Sequence, residues 1–456
     1  MRTLFKGGCV VSGKGTEKLD VLVEGETIAA VGEDIRAEDA QLVDCSGKLL
    51  FPGFIDGHTH FDLHVAGTVT ADDFATGTRA ALRGGTTTVV DFATPEKGET
   101  LHFGLDSWMA KAAGKAACDY CFHMTIDDWN DTIRREIREM VDEGISTFKM
   151  YMTYPAMMIP EQDMYRAMQE LKKNGGIVGV HCENSGIIDA LIREAKEEGR
   201  LSPASHPRTR PAPLEAEAVS HLLRLAQVVD VPVIIVHLST KEALDEVRAA
   251  RSRGQTVYVE TCPHYLLLED SVYDHPDYPE AAKYVCAPPI RKEIDRLALW
   301  QGLKTGEIQT VATDHCSFTL EQKMAGRDDF TKIPGGLPGV EHRGLLLYSE
   351  GVAKGRISEA DMCRVLSENA AKLYGLWPRK GVIAPGSDGD IVVLDPTAHS
   401  TITAADQAHN TDYTPYEGHA LHGGISGVWL RGRRAVENGQ LLNTEGKFLF
   451  RGKNSL

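Results

Sequence analysis

"FPGFIDGHTHFDLH" (Phe51–His64) opens as an apolar run and closes on polar residues. Successive side chains of an extended chain point to opposite faces, so His58 and His60 point the same way. Asp56 precedes the pair and Asp62 follows it. A buried strand of this kind delivers polar groups to its end. The shape recurs along the chain: "GFIDGHTH", "TTTVVDFA", "CDYCFHMTI", "ISTFKMYM", "GIVGVHCEN", "VPVIIVHLS", "TVYVETCPH" and "IQTVATDHCS" give eight strand candidates.

Between them lie stretches such as "DDFATGTRAALRGG" and "STKEALDEVRAARSRG", with Ser, Thr or Asp near the start and Gly at the end. That punctuation marks helices. Eight strands alternating with helices over roughly 260 residues predict an α/β fold, a (β/α)8 TIM barrel. The alternative, an open doubly wound sheet, lacks support because no strand leads into a Gly-rich dinucleotide fingerprint. Both ends of the chain read differently. "TLFKGGCVV", "DVLVEGETIAAVG" and "AQLVDCSGKLL" near the start, and "GDIVVLDP" and "SGVWLRGRRAVENGQ" near the end, are short strands split by turns. They predict one small β-sandwich built from both termini, residues 1–50 and 376–456, around a barrel of residues 51–375.

The whole chain bounds its partners. With 456 residues and 42% hydrophobic ones, it is long and apolar enough for a large core. Its 49 basic and 65 acidic residues give a formal charge of -16, which argues against nucleic acid or an anionic membrane as a partner. The nine cysteines are scattered and odd in number. The start "MRTLFKGGCVVSGKG" has no secretory apolar stretch, and runs such as "VPVIIV" are too short to span a bilayer. The expectation is a cytoplasmic protein with reduced thiols. "CDYC" (Cys118 to Cys121) is a lone CxxC inside a strand and reads as core.

The polar residues fall late in the apolar strands: His58 and His60, then Lys149, His181, His237 and Asp314. They converge on one rim of the barrel, where barrel active sites sit. Nitrogen and carboxylate donors of this kind suit zinc and related divalent ions. One histidine near a strand end is usually packing, whereas histidines repeated at several strand ends read as a metal site. Two close cations need an anionic bridge. Lys149 supplies one only as a carbamate, and spacing by itself favours the plainer reading that it pairs with a carboxylate. His64 and His264 read as packing or outer residues, and His315 as facing away from Asp314.

The stretches "GFIDGHTH", "GTVTADDFATGTRAALRGGTTTVVDF", "GISTFKMYMTY", "VHCEN", "VHLS", "VETCPHYLLL", "APPIR", "VATDHC", "PGGLPGVE", "GLWPRKGVIAPGSDGDIVVLDP" and "NTDYTPYEG" resemble, in order and over nearly the whole chain, the cyclic amidohydrolases of the D-hydantoinase and dihydropyrimidinase group. The resemblance implies two divalent metal ions, zinc by the ligand set. His58, His60 and Asp314 match the ligands of the more buried ion, and His181 and His237 those of the other. Lys149 matches the carboxylated lysine (N6-carboxylysine) that bridges them, which reverses the reading from spacing. Tyr154 matches the tyrosine that hydrogen-bonds the substrate carbonyl. Two positions depart from the pattern: Ala287 stands where serine is usual, and Gly335 where asparagine is usual. The family holds the ring through main-chain groups at both, so binding need not be lost.

The implied activity is hydrolytic ring opening of a cyclic amide by a hydroxide shared between the metals, giving an N-carbamoyl amino acid. Asp314 would be the proton carrier and Tyr154 the oxyanion donor. Leu63, Val65, Tyr151, Met152 and Met157 are expected to form an apolar wall for the ring substituent. Such a wall favours 5-substituted D-hydantoins or dihydropyrimidines over allantoin. Rival readings are allantoinase, dihydroorotase (which needs an arginine for the substrate carboxylate) and the non-catalytic relatives that keep the fold without the ligands. A homotetramer is the commonest assembly in the group, with the tail after Gly439 reaching a neighbour.

Overall fold

The computed structural model describes residues 2–456. All eight expected strands form: β1 (Phe54–Thr59), β2 (Thr86–Ala93), β3 (Asp119–Thr125), β4 (Thr147–Tyr151), β5 (Ile177–His181), β6 (Val233–Ile235), β7 (Val257–Thr261) and β8 (Thr310–Val311). They lie side by side in chain order in one 8-stranded parallel sheet. β8 is short because the chain leaves the ladder to meet β1. There His60 N–H donates to His315 O at 2.8 Å, His315 N–H to His58 O at 3.3 Å, and Thr59 bridges to His315. Asp56 holds this seam, accepting from Thr313 N–H at 3.1 Å and from the Thr313 hydroxyl at 2.7 Å. That is the task of the aspartate in front of the histidine pair.

Helices surround the barrel as the punctuation predicted. Asp73 caps helix Phe74–Arg83 by accepting from Ala75 N and Thr76 N, and Thr240 caps Lys241–Ser252 through Ala243 N. Each cap satisfies amides that a helix start leaves without partners, an effect typically near 1 kcal/mol. The strands are buried along nearly their whole length, since helices cover one face and packed side chains fill the other.

The two chain ends build the predicted sandwich. A 4-stranded sheet comes wholly from residues 2–44. A 7-stranded sheet interleaves the ends: Leu49–Pro52 pairs with Ile391–Thr401, which pairs with Ala420–Leu430 and, through it, Arg433–Glu437. Phe5, Val21, Leu50, Ile391 and Trp429 fill the space between the sheets. Phe5 meets Trp429 edge-on at 4.7 Å between centroids.

Part of the tail after Gly439 packs on its own barrel. Tyr120 N–H donates to Lys447 O and Leu449 N–H to Tyr120 O, so the tail lies along the start of β3, at the mouth opposite the strand ends that carry His58 and His181. No helix among the described residues is long and apolar enough to cross a membrane.

Candidate active site

The six strand-end residues converge. His58 lies near the end of β1 and His60 one residue past it. Lys149 sits within β4, and His181 ends β5. His237 and Asp314 follow β6 and β8. Ring centroids are 5.1 Å apart for His58 and His60, 5.4 Å for His58 and His237, and 4.5 Å for His181 and His237. Asp314 Oδ1 lies 3.2 Å from His58 Nε2 and 3.1 Å from His60 Nε2. His58, His237 and Asp314 each bring one donor atom to within 4.8 Å of the others.

Those donors fit a metal. His58 Nε2, which faces Asp314, and His237 Nδ1 are buried without a hydrogen-bond partner. Buried polar atoms are normally satisfied, so a cluster of exceptions needs an explanation. His58 Nε2 approaches Asp314 closely yet makes no hydrogen bond. Two ligands of one tetrahedral zinc, with bonds near 2.1 Å, sit roughly 3.4 Å apart, close to the 3.2 Å between these atoms. Burial holds His58 and His237 well below the usual imidazole range, and lowers His181 despite the opposing pull of Glu183. The rings are therefore neutral, the form in which imidazole ligates a cation.

Lys149 is 1% exposed, and its Nζ lies over the Phe92 and Tyr151 rings, 5.1 and 5.0 Å from their centroids. The carboxylate partner suggested by spacing does not appear among the described residues. Burial pulls its amine down to about 8, against the attraction of Asp314.

Behind the histidines stand carboxylates that lie inside quoted motifs but carried no assignment. His58 Nδ1 is 2.7 Å from Glu260 Oε1, and His181 Nε2 is 2.7 Å from Glu183 Oε2. Such partners select the tautomer and orient the ring, leaving the other nitrogen to face the cluster. Arg210 donates to Glu183 Oε2 at 2.6 Å and lies 5.6 Å from the Tyr154 ring centroid. The signal in "VHCEN" was a carboxylate two residues past the histidine. Glu260 was legible only as a charged residue inside an otherwise buried strand.

Three of the assigned residues have left-handed backbones although none is glycine: Tyr154 at φ +67°, His237 at +39° and Asp314 at +50°. Such conformations cost about 1–3 kcal/mol each and persist where the surrounding structure enforces them, often at functional sites. Burial also raises the Tyr154 phenol above its ordinary range, so it stays protonated as a donor.

The cluster floors a cavity of about 440 Å³. Leu63, Val65, Tyr151 and Met157 line it, as do Tyr154, Ala287 and Gly335. Met152 does not: just past the end of β4 the chain bends, and its side chain packs against the main hydrophobic core. Ile192 joins the apolar wall from the helix Ser185–Glu197, and Val285, Phe330 and Ile333 join it from irregular segments with no sequence periodicity to mark them. Arg210 is the arginine on this wall, and Glu183 already occupies it. Of the other histidines, His64 is exposed on a hairpin, and His264 is buried beside Tyr265. His315 faces away from the cluster, with Nε2 at 3.0 Å from Asp72. Cys118 and Cys121 are buried as expected.

Residues 49–435 match the family described as the amidohydrolase family. The chain is 42% identical to a D-hydantoinase of Streptomyces coelicolor over 98% of this chain and 96% of that one. It is 40% identical to a D-phenylhydantoinase of Escherichia coli, over 99% and 98%. The crystal structure of the dihydropyrimidinase from Brevibacillus agri superposes with a TM-score of 0.98 at 42% identity, covering 100% of both chains. On its fold, its strand-end cluster and these likenesses, the chain belongs to the amidohydrolase family, in the group that holds the D-hydantoinases and dihydropyrimidinases.

Proposed function

We propose that this hydrolase of cyclic amides opens 5-substituted hydantoins, with D-aryl hydantoins foremost and dihydropyrimidines as further substrates, to N-carbamoyl amino acids. The observation that carries the reading is a nitrogen-rich cluster with unpartnered donors at the floor of an apolar-walled cavity. The likeness to a D-phenylhydantoinase supports the aryl side chain. An arginine already held by Glu183 counts against an anionic ring such as dihydroorotate.

His58, His60 and Asp314 would hold one divalent ion, His181 and His237 a second, and Lys149 would join them as a carbamate. Zinc bound there supplies Lewis acidity and water that is acidic near neutral pH. The lysine chemistry balances simply. The neutral amine nitrogen bonds to the carbon of carbon dioxide and loses one proton to solvent. An amine brought down to about 8 is neutral in roughly a tenth of molecules at pH 7, far more often than an ordinary lysine.

Asp314 Oδ1 faces two imidazoles, which leaves Oδ2 to take the proton of the attacking water. The same oxygen returns it to the ring nitrogen as the amide C–N bond breaks. The Tyr154 phenol donates to the carbonyl oxygen as negative charge builds there, an effect often near 3–4 kcal/mol. Main-chain groups at Ala287 and Gly335 hold the ring, and Leu63, Val65 and Met157 meet its substituent. A homotetrameric, cytoplasmic enzyme is part of the proposal, on the resemblance alone.

The test is kcat/KM for ring opening by zinc-loaded protein on D- and L-5-phenylhydantoin, hydantoin, dihydrouracil and allantoin. Preference for the D-aryl hydantoin is expected. Preference for allantoin would overturn the apolar-wall reading. Silence on every ring with metal bound would leave the wrong substrate class, and silence without bound metal would favour the non-catalytic relatives.

A further inference from the structure

Lys323 does not line the cavity, yet it hydrogen-bonds two segments that do. Its side chain is fully buried, and its ammonium donates to three main-chain carbonyls: Val285 at 2.8 Å, Pro334 at 2.7 Å and Gly336 at 2.8 Å. Burial brings the Lys323 amine down to about 7, while three carbonyl acceptors around Nζ favour the ammonium, whose three N–H donors would each meet backbone. A buried lysine is rare, and charge-assisted bonds are among the stronger ones a backbone segment can receive.

The partners come from two irregular segments. One carries Val285 and Ala287 into the cavity wall, and the other carries Gly335 and Gly336. A direct backbone bond also joins them, from Gly336 N–H to Val285 O at 3.0 Å. The second segment is pressed onto the exit of β8: Cys316 N–H donates to Leu337 O at 3.1 Å. At Gly336, with φ +152°, a Cβ would lie 2.3 Å from Cys316 O. Lys323 itself is anchored at the end of the short helix Leu320–Lys323, which Thr319 and Gln322 cap reciprocally.

We propose that Lys323 is a positioning residue for ring opening: by clamping both segments it sets the separation of the main chain at Ala287 from that at Gly335, and so the ring size the site accepts. The inference rests on the reading that these two segments hold the ring. It extends that reading to a residue that touches no substrate. Five- and six-membered rings place their amide groups differently, so a loosened clamp alters their relative fit.

The experiment compares the wild type with Lys323→Met and Lys323→Gln, each loaded with zinc, on hydantoin and dihydrouracil. Lys323→Met is expected to lower kcat/KM by tenfold or more, chiefly through KM. It should also shift the hydantoin-to-dihydrouracil ratio by at least threefold at unchanged metal content. Lys323→Gln keeps two donors and should give a smaller shift in the same direction, which serves if the Met variant does not fold. A merely structural lysine would scale both rates by the folded fraction and leave the ratio unmoved, and that result overturns the proposal. Backbone amide exchange gives a second readout independent of turnover. Residues 285–287 and 335–337 should exchange at least tenfold faster in Lys323→Gln, and unchanged exchange would overturn the clamp. A wild type that opens neither ring would sink the proposed function instead, while exchange still reports on the clamp.

Discussion

Lys149 decides how the cluster holds charge. Neutral imidazoles and one aspartate cannot offset two divalent cations a few ångströms apart, so an anion between them matters. Lys149→Ala should therefore lose most bound zinc and most turnover, with partial recovery on adding a short carboxylic acid. Metal analysis checks this, and undiminished zinc content would contradict the bridge. Glu260 acts one layer back. Its Oε1 faces His58 Nδ1 at 2.7 Å, and Tyr374 donates to its Oε2 at 3.2 Å, so Glu260→Gln keeps the shape and swaps a carboxyl that burial raises to about 8 for an amide that cannot ionise. Zinc affinity should fall about tenfold, at the low end for such partners. Chelator competition measures it, and an unaltered affinity would leave Glu260 a packing residue only.

At the scale of elements, apolar runs closing on His, Lys or Asp made the barrel and its rim readable, because a strand presents alternate residues to one face and ends where the run ends. What stayed hidden depends on neighbours. Glu260 became a partner of His58 only once the barrel closed and brought β7 and β1 to either side of β8. Ile192, Val285, Phe330 and Ile333 come from helix and loop segments whose approach no local pattern encodes. Met152 was misplaced because a loop residue was taken to share a face with Tyr151, its immediate neighbour. The tail was equally unreadable, since its partners are backbone groups at the starts of β3 and β4. Arg451 is the pin of that element: it donates to Thr147 Oγ1 at 2.6 Å and to Phe122 O. Arg451→Met leaves both oxygens buried without this partner and should cost about 1–3 kcal/mol. Spread over 456 residues, that lowers Tm by about 1–3 °C. Because the tail lies at the mouth opposite the cluster, kcat should stay within twofold. Lost turnover in the folded variant, seen by calorimetry beside a rate assay, would mean the two mouths are coupled.

For the whole molecule, the question is whether barrel and sandwich unfold together. The 7-stranded sheet draws strands from both chain ends, so it closes only when those ends meet. A charged knot then joins the two bodies. Lys380 is 2% exposed and lies 2.7 Å from Asp119 at the start of β3, 2.7 Å from Asp390 and 2.9 Å from Asp388. Arg431 of the sandwich pairs with Asp119 as well. Buried pairs add little net stability when compared with apolar replacements, but removing one partner strands the others. Lys380→Met leaves three carboxylates with Arg431 and Arg379 as their remaining cations near the knot. The loss should be about 3–5 kcal/mol, or about 3–5 °C in Tm for a chain of this length. The transition should remain single, because the interleaved strands still tie the sandwich to the barrel. Differential scanning calorimetry reads both quantities. Two resolved transitions in the variant would show that the knot, rather than the strand exchange, makes the molecule unfold as one.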